Sequence, residues 1–237
     1  MTDAPAPDGV PRVTVLFPGA GSFGREFQPL TAALGRAAWT VRYPGRYGRD
    51  FGVPAPSFDA VVRSCAEQIG RRNHERPVLC GHSYGAYVAY ATAARLARAG
   101  TSVAALVVSG ARAPELLEVP EKAAASHADA AVYLDDVDPV ALADAPSDEW
   151  REILVDTTLQ DLRLLAGFAP PPPGPLTCPV LALRGTSDPL TSDLALTPWR
   201  DVTSGPFTQR TFPGGHTDVL HSPPCTTWLS GALGELP

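Results

Sequence analysis

The sequence predicts an α/β fold: a mostly parallel central sheet, helices on both faces and one helical insertion. Three observations carry that expectation. Short apolar runs at residues 13–17, 77–80, 103–108 and 180–183 have no polar alternation, as expected of parallel strands buried on both faces. Stretches of helical length and periodicity separate the first three runs, the βαβ rhythm of a doubly wound sheet. Between Pro114 and Phe168 no strand pattern occurs, and the rhythm resumes only at Val180.

Taken in order, Val13-Thr14-Val15-Leu16-Phe17 reads as a buried strand running into the glycine-rich loop Pro18-Gly19-Ala20-Gly21-Ser22. A helix over residues 27–37 and a strand over 40–43 follow. The loop Pro44-Gly45-Arg46-Tyr47-Gly48-Arg49-Asp50 then carries two arginines, the pattern of a charged rim. Ser57 is placed to cap a helix over 58–72 whose apolar face is Val61, Val62, Cys65, Ala66 and Ile69. Residues 77–80 form the next strand. The alanine-rich helix 84–99 stops at Gly100, a residue suited to the C′ position. After the strand at 103–108, the stretch 114–170 reads as a helical lid subdomain on a single domain covering 1–237. Its helices fall at about 121–127, 139–143 and 149–167. The proline run from Pro170 to Pro175 marks the return. Strands at 180–183 and 207–212 and a closing helix over 225–233 complete the chain.

Composition narrows the function. A chain of 237 residues needs no disulfide or metal staple to bury a core. The formal net charge of −6 argues against a nucleic-acid partner. Cys65, Cys80, Cys178 and Cys225 are scattered without a CxxC pair, so neither a zinc site nor a redox motif is expected. No run reaches the roughly 18 apolar residues of a membrane span. The polar, proline-rich start does not resemble a signal peptide. A cytoplasmic protein without a membrane partner, most simply a monomer, is expected.

The chemistry centres on Gly81-His82-Ser83-Tyr84-Gly85, placed between a strand and a helix. In that context G-x-S-x-G is a nucleophile elbow, a tight turn that lifts one hydroxyl to its apex. Serine holds its proton at neutral pH, so it needs a base in reach and a carboxylate to orient the base. Asp188 and His216 each follow a predicted strand. Parallel strands end on one edge, so Ser83, Asp188 and His216 can converge there. Asp193 and Asp218 compete for the acid's role. His74 and His127 read as surface residues. His82 reads as packing beside the nucleophile, and His221 lies in a proline-flanked segment. The oxyanion hole needs two backbone N–H donors: that of Tyr84, which opens the elbow helix, and that of Ala20 in the loop after the first strand. That loop lacks the third glycine of a dinucleotide fingerprint and the lysine of a P-loop, so phosphate binding is not expected.

Several collinear segments resemble the type II thioesterases of polyketide and nonribosomal peptide synthesis, which have the α/β-hydrolase fold. They are Phe17-Pro18-Gly19-Ala20-Gly21, Tyr43-Pro44-Gly45-Arg46, the elbow through Ala86, Ser109-Gly110-Ala111-Arg112-Ala113-Pro114, Leu159 to Leu165, and Phe212-Pro213-Gly214-Gly215-His216. Tyr84 departs from the methionine common at its position, Thr217 from an aromatic, and Ser22 from a glycine. The resemblance implies hydrolysis of acyl groups from phosphopantetheine thiols of acyl or peptidyl carrier protein domains. No cofactor is implied beyond the phosphopantetheine that the substrate itself carries. Because carrier proteins are acidic, Arg46 and Arg49 become candidate carrier contacts. A carboxylesterase acting on a free small-molecule ester is the alternative reading.

Overall fold

In the computed structural model, residues 12–171 and 176–236 are described. The start of the chain, read above as lacking a signal peptide, and most of the proline run after Pro170 lie outside the described residues. Six strands form one sheet: β1 (Thr14–Phe17), β2 (Ala38–Thr40), β3 (Val78–His82), β4 (Ala105–Ser109), β5 (Val180–Gly185) and β6 (Phe207–Phe212), in the order β2-β1-β3-β4-β5-β6. Every pairing is parallel. Registers such as Phe17↔Gly81, His82↔Ser109 and Gly185↔Phe212 bring the C-terminal ends of β1, β3, β4, β5 and β6 to one edge.

The apolar runs form strands because both faces are covered. Side chains alternate across a strand. Val15, Phe17, Leu79, Leu106 and Val108 therefore face the core beneath α2 (Phe58–Arg72) and α3 (Tyr84–Arg98). Leu16, Val78, Cys80 and Val107 face the opposite core, against Leu30 of α1 (Gln28–Leu34) and Cys225 and Leu229 of the C-terminal helix. The helix over 58–72 has its predicted bounds, and Ser57 Oγ accepts the Ala60 N–H. All four cysteines are buried as free thiols.

The second strand differs from its expected span. Its ladder covers Ala38–Thr40, although Val41 still donates to Leu16 O. The alternation that suggested 40–43 exists, since Val41 and Tyr43 are buried and Arg42 is exposed. The chain nevertheless leaves the sheet there, because Pro44 and Gly45 occupy the middle of a turn closed by Arg46 N–H to Tyr43 O, with Gly45 at φ 79°. That is the chemistry of a type II turn.

Between β4 and β5 the chain forms three helices: α4 (His127–Val137), α5 (Pro139–Ala143) and α6 (Asp148–Leu165). The first lies later than the expected 121–127. Ser126 Oγ accepts the Asp129 N–H and starts the helix there, an N-cap followed by an acid three residues on. Asp138 and Ser147 cap α5 and α6 in the same way. Ala130, Leu134, Val155 and Leu159 form a small core between α4 and α6, separate from the two cores of the sheet. The chain ends through α7 (Asp193–Leu196) and α8 (Pro223–Gly234). Among the described residues no helix is long and apolar enough to cross a membrane.

Candidate active site

Ser83 joins β3 to α3 with φ 51° and ψ −122°, a conformation non-glycine residues rarely adopt. Its turn requires two glycines. A Cβ on Gly81 would lie 2.6 Å from Ala86 Cα, and one on Gly85 would lie 2.6 Å from the Phe17 carbonyl carbon. Ser83 N–H donates to Ser109 O of the neighbouring strand at 2.8 Å, which anchors the turn to β4. A positive-φ serine held on both sides has the backbone geometry expected of a nucleophile elbow.

His216 and Asp188 meet at the same edge. His216 Nδ1 lies 3.0 Å from each Asp188 carboxylate oxygen. Burial opposes ionisation of Asp188. Its bonds from His216, Thr191 Oγ1 at 2.6 Å and Leu190 N–H at 2.8 Å outweigh that and hold its pKa at about 2. A charged Asp188 fixes the proton of His216 on Nδ1 and leaves Nε2 free to accept one. Nε2 is buried without a hydrogen-bond partner among the described residues, and His216 and Ser83 line the same narrow space.

The competing acids lie elsewhere. Asp193 is exposed and holds Arg184 and Thr211 Oγ1, and Asp218 is exposed beside the histidine loop. His74 is half-buried and His221 exposed, while His127 faces Glu152 and Asp156. His82 is buried with its ring 4.8 Å from that of His216, and Nδ1 is 3.4 Å from Ser109 Oγ. Burial, with His216 second, pushes the His82 pKa well below the usual imidazole range. A neutral ring there places no positive charge beside His216.

Ala20 lines the space in front of Ser83. Its neighbours in the loop are tied down: Gly19 N–H donates to Glu26 Oε1 at 2.8 Å and Gly21 N–H to Asp161 Oδ2 at 2.9 Å. The Ala20 N–H has no acceptor among the described residues. The Tyr84 N–H is the first of α3, where a helix supplies no acceptor of its own. The Tyr84 ring is buried edge-on against Tyr43 and Phe58 and forms part of the cavity wall.

Arg46 corrects the sequence reading. It is 4% exposed, ion-paired with buried Asp161, bonded to Ser22 O, and 4.5 Å from the centre of the Tyr43 ring. The Pro44–Gly45 turn folds it inward, so it cannot contact a docked protein. Arg49 is exposed and remains on the surface. Asp161 and Glu26, which organise the loop after β1, were missed. One sequence signal was available for Asp161: with Thr158 it interrupts the otherwise apolar buried face Val155, Leu159, Leu162, Leu165 of α6.

Ser83 lies between two cavities. One of about 280 Å³ is walled by Tyr84, Tyr87, Leu162 and Leu165 and includes Ser83 itself. The other, of about 440 Å³, is lined by Phe23, Tyr47, Val140, Trp150 and Leu154 under the insertion. A narrow space of about 30 Å³ containing Ser83, His82 and His216 lies between them, and Ala20 borders all three.

Known proteins resemble this chain in sequence and fold. The thioesterase domain family matches residues 13–226. Thioesterase PikA5 of Streptomyces venezuelae is 32% identical over 90% of this chain and 76% of its own length. Thioesterase TesA of Mycobacterium marinum is 30% identical over 85% of this chain and 82% of its own. The chain spans 56% of another relative, a probable cadicidin biosynthesis thioesterase of Streptomyces griseus. Among solved structures, RedJ, a thioesterase from the prodiginine pathway of Streptomyces coelicolor, superposes with a TM-score of 0.81 at 27% identity, covering 98% of this chain and 93% of that one. The type II thioesterase BorB from the borrelidin cluster superposes at 0.79 with 29% identity, covering 97% and 95%. The fold is that of the α/β-hydrolases, and the chain belongs to the thioesterase family.

Proposed function

We propose that this thioesterase is a type II editing enzyme, removing acyl groups from the phosphopantetheine thiols of acyl or peptidyl carrier protein domains of a polyketide or nonribosomal peptide synthase. Ser83 is the nucleophile, His216 the base and Asp188 the group that orients it. The Ala20 and Tyr84 N–H groups form the oxyanion hole. The observation that carries the reading is the buried Asp188–His216 couple, whose free Nε2 shares a narrow space with a strained serine.

The reaction follows from these groups. As Ser83 Oγ attacks the thioester carbon, Nε2 of His216 takes its proton, and negative charge moves to the former carbonyl oxygen. Asp188, ionised, stabilises the imidazolium. The two N–H donors meet the developing charge without having to reorganise. Collapse releases the thiol, protonated by His216, and leaves an acyl-serine. Water then repeats the sequence, with His216 as base, and frees the acid. A serine between two cavities suits a substrate with two long arms. The acyl group fits the cavity walled by Tyr84 and Leu162, and the pantetheine arm fits the aromatic-lined one. The helices from His127 to Leu165 act as the lid over both.

Incubation with an acylated carrier protein should release the free acid and the holo carrier, and Ser83→Ala should abolish release. Hydrolysis of a small oxygen ester without activity on the carrier thioester would instead favour a carboxylesterase.

A further inference from the structure

We infer that the helical insertion arms the oxyanion hole: Asp161 of α6, held by Arg46, is a positioning residue that sets the loop after β1 so that the Ala20 N–H faces the oxygen of the substrate attacked at Ser83. The inference rests on the serine-hydrolase reading above and gives the insertion a part in the chemistry beyond covering it.

Two buried carboxyl groups grip the loop on either side of Ala20. Glu26 takes the Gly19 N–H and the Ser22 hydroxyl, and Asp161 takes the Gly21 N–H. Ser22 N–H closes the loop onto Gly19 O at 3.2 Å, and Arg46 bonds Ser22 O with one nitrogen and Asp161 with another. The Ala20 N–H lies in the same planar peptide as Gly19 O, so the Ser22 bond to that oxygen, flanked by the anchored Gly19 and Gly21 N–H groups, orients it. Of the N–H groups from Gly19 to Ser22, that of Ala20 has no acceptor among the described residues, and Ala20 borders the space that holds Ser83.

The two grips differ in origin. Glu26 precedes α1 and belongs to the sheet domain, where burial raises its pKa against the opposing pull of its two donors. Asp161 belongs to the insertion. The loop also packs flat on α6: a Cβ on Gly21, at φ 71°, would lie 3.0 Å from Leu154 O and 3.2 Å from Thr158 Cβ. Movement of α6 away from the sheet would strip Gly21 and Arg46 of their partner and free the Ala20 peptide. Hydrolysis is thereby confined to the state in which the insertion is docked, and an open enzyme is a poor hydrolase.

The test uses the full chain and three probes: butyryl-pantetheine as substrate, a trifluoromethyl ketone carrying a pantetheine thioether, which forms a tetrahedral adduct on Ser83, and S-butyl pantetheine as a ground-state ligand. The double variant Arg46→Met/Asp161→Leu removes both charges, so that neither is left buried and unpaired. The expected result is a folded protein by circular dichroism whose kcat falls about 100-fold, the scale of one lost oxyanion donor. Ketone affinity should fall in parallel, while S-butyl pantetheine binding stays within about threefold. Arg46→Met/Asp161→Asn, which also leaves no unpaired charge but keeps an oxygen for the Gly21 N–H, should recover most of the loss. Equal losses of ketone and thioether affinity, or an unchanged kcat, would overturn the inference. If the double variant fails to fold, Arg46→Lys, which cannot bridge Ser22 O and Asp161 together, should weaken the ketone about tenfold, and unchanged ketone binding would overturn the inference. Wild-type protein that forms the ketone adduct but spares acylated carrier protein would sink the carrier reading, while the same ketone series still judges the latch.

Discussion

The parallel sheet and the insertion that roofs it are held together by different physics. The sheet lies between two continuous apolar cores, and Val15, Leu79, Leu106 and Val107 are fully buried at its centre. The insertion has a four-residue core of its own and leaves Val132 61% and Trp150 38% exposed. Non-directional apolar burial holds the first, whereas the second joins that core at Leu164, Leu165 and Phe168 and is tied down further by directional contacts. These are the Arg46–Asp161 pair, the Gly21–Asp161 bond, and Arg25 to Asp144 at 2.5 Å on the surface. Phe168 adds an aromatic contact, its ring 5.3 Å from those of Phe58 and Tyr87. A frame of the first kind can hold reacting groups rigidly. A roof of the second kind can move, because small, low-density units open at lower free energy than the global core.

Measurements can break this contrast at several points. The largest effect is expected at the apex of the rigid frame. Ser83→Ala should lower kcat by roughly 10⁵- to 10⁶-fold with no loss of melting temperature. A surviving fraction of activity above about one per cent would place the nucleophile elsewhere. Next, Asp188→Asn should cost about 10⁴-fold in kcat, since the histidine then loses its enforced tautomer.

The same carboxylate sets an acid limb for stability. Its pKa is depressed to about 2 in the folded state, so its contribution is complete above the unfolded value of about 4 and is lost as pH falls toward 2. Urea melts of wild type between pH 5 and pH 2 should lose stability in that window, and Asp188→Asn should show a shallower fall. Identical profiles would mean that Asp188 is not ionised against His216.

Cavities in the two cores should behave differently. Leu106→Ala, in the sheet, should cost about 2–5 kcal/mol of global stability by denaturant melting. Leu134→Ala, in the insertion, should cost less globally and show instead as faster amide exchange in α4 and α6. Equal global losses would make sheet and insertion one cooperative unit. The smallest effect is expected at the surface. Arg49→Glu should raise KM for acylated carrier protein severalfold and leave that for butyryl-pantetheine unchanged, because exposed charges act mainly on encounter. Equal KM values for wild type and variant on the carrier would remove Arg49 from the docking surface.

Much of this contrast was legible in advance. Fully buried strands and the Ser57-capped helix follow local rules, so their positions could be read from residue type and spacing. Ser83, Asp188 and His216 were also readable, because parallel strands deliver whatever follows them to a common edge. In the insertion the rules were weaker. A turn-and-cap choice at Ser126 moved α4 later than its composition suggested. Arg46 was misplaced because a charged residue in a proline- and glycine-rich loop resembles a solvated rim until its partner is known.

The sequence by itself determined the buried central strands, the turn at Ser83 and the placing of His216 and a short set of acids at one edge, since each depends on near neighbours or on a simple period; the structure chose Asp188 among Asp188, Asp193 and Asp218. Only the tertiary structure decided what Arg46 does, which amide of the loop after β1 stays free, and that a helix from the insertion reaches that loop. Arg46 and Asp161 stand 115 residues apart. Their pairing is a property of how α6 meets the loop after β1, and burial of both charges is tolerable only because each finds the other there.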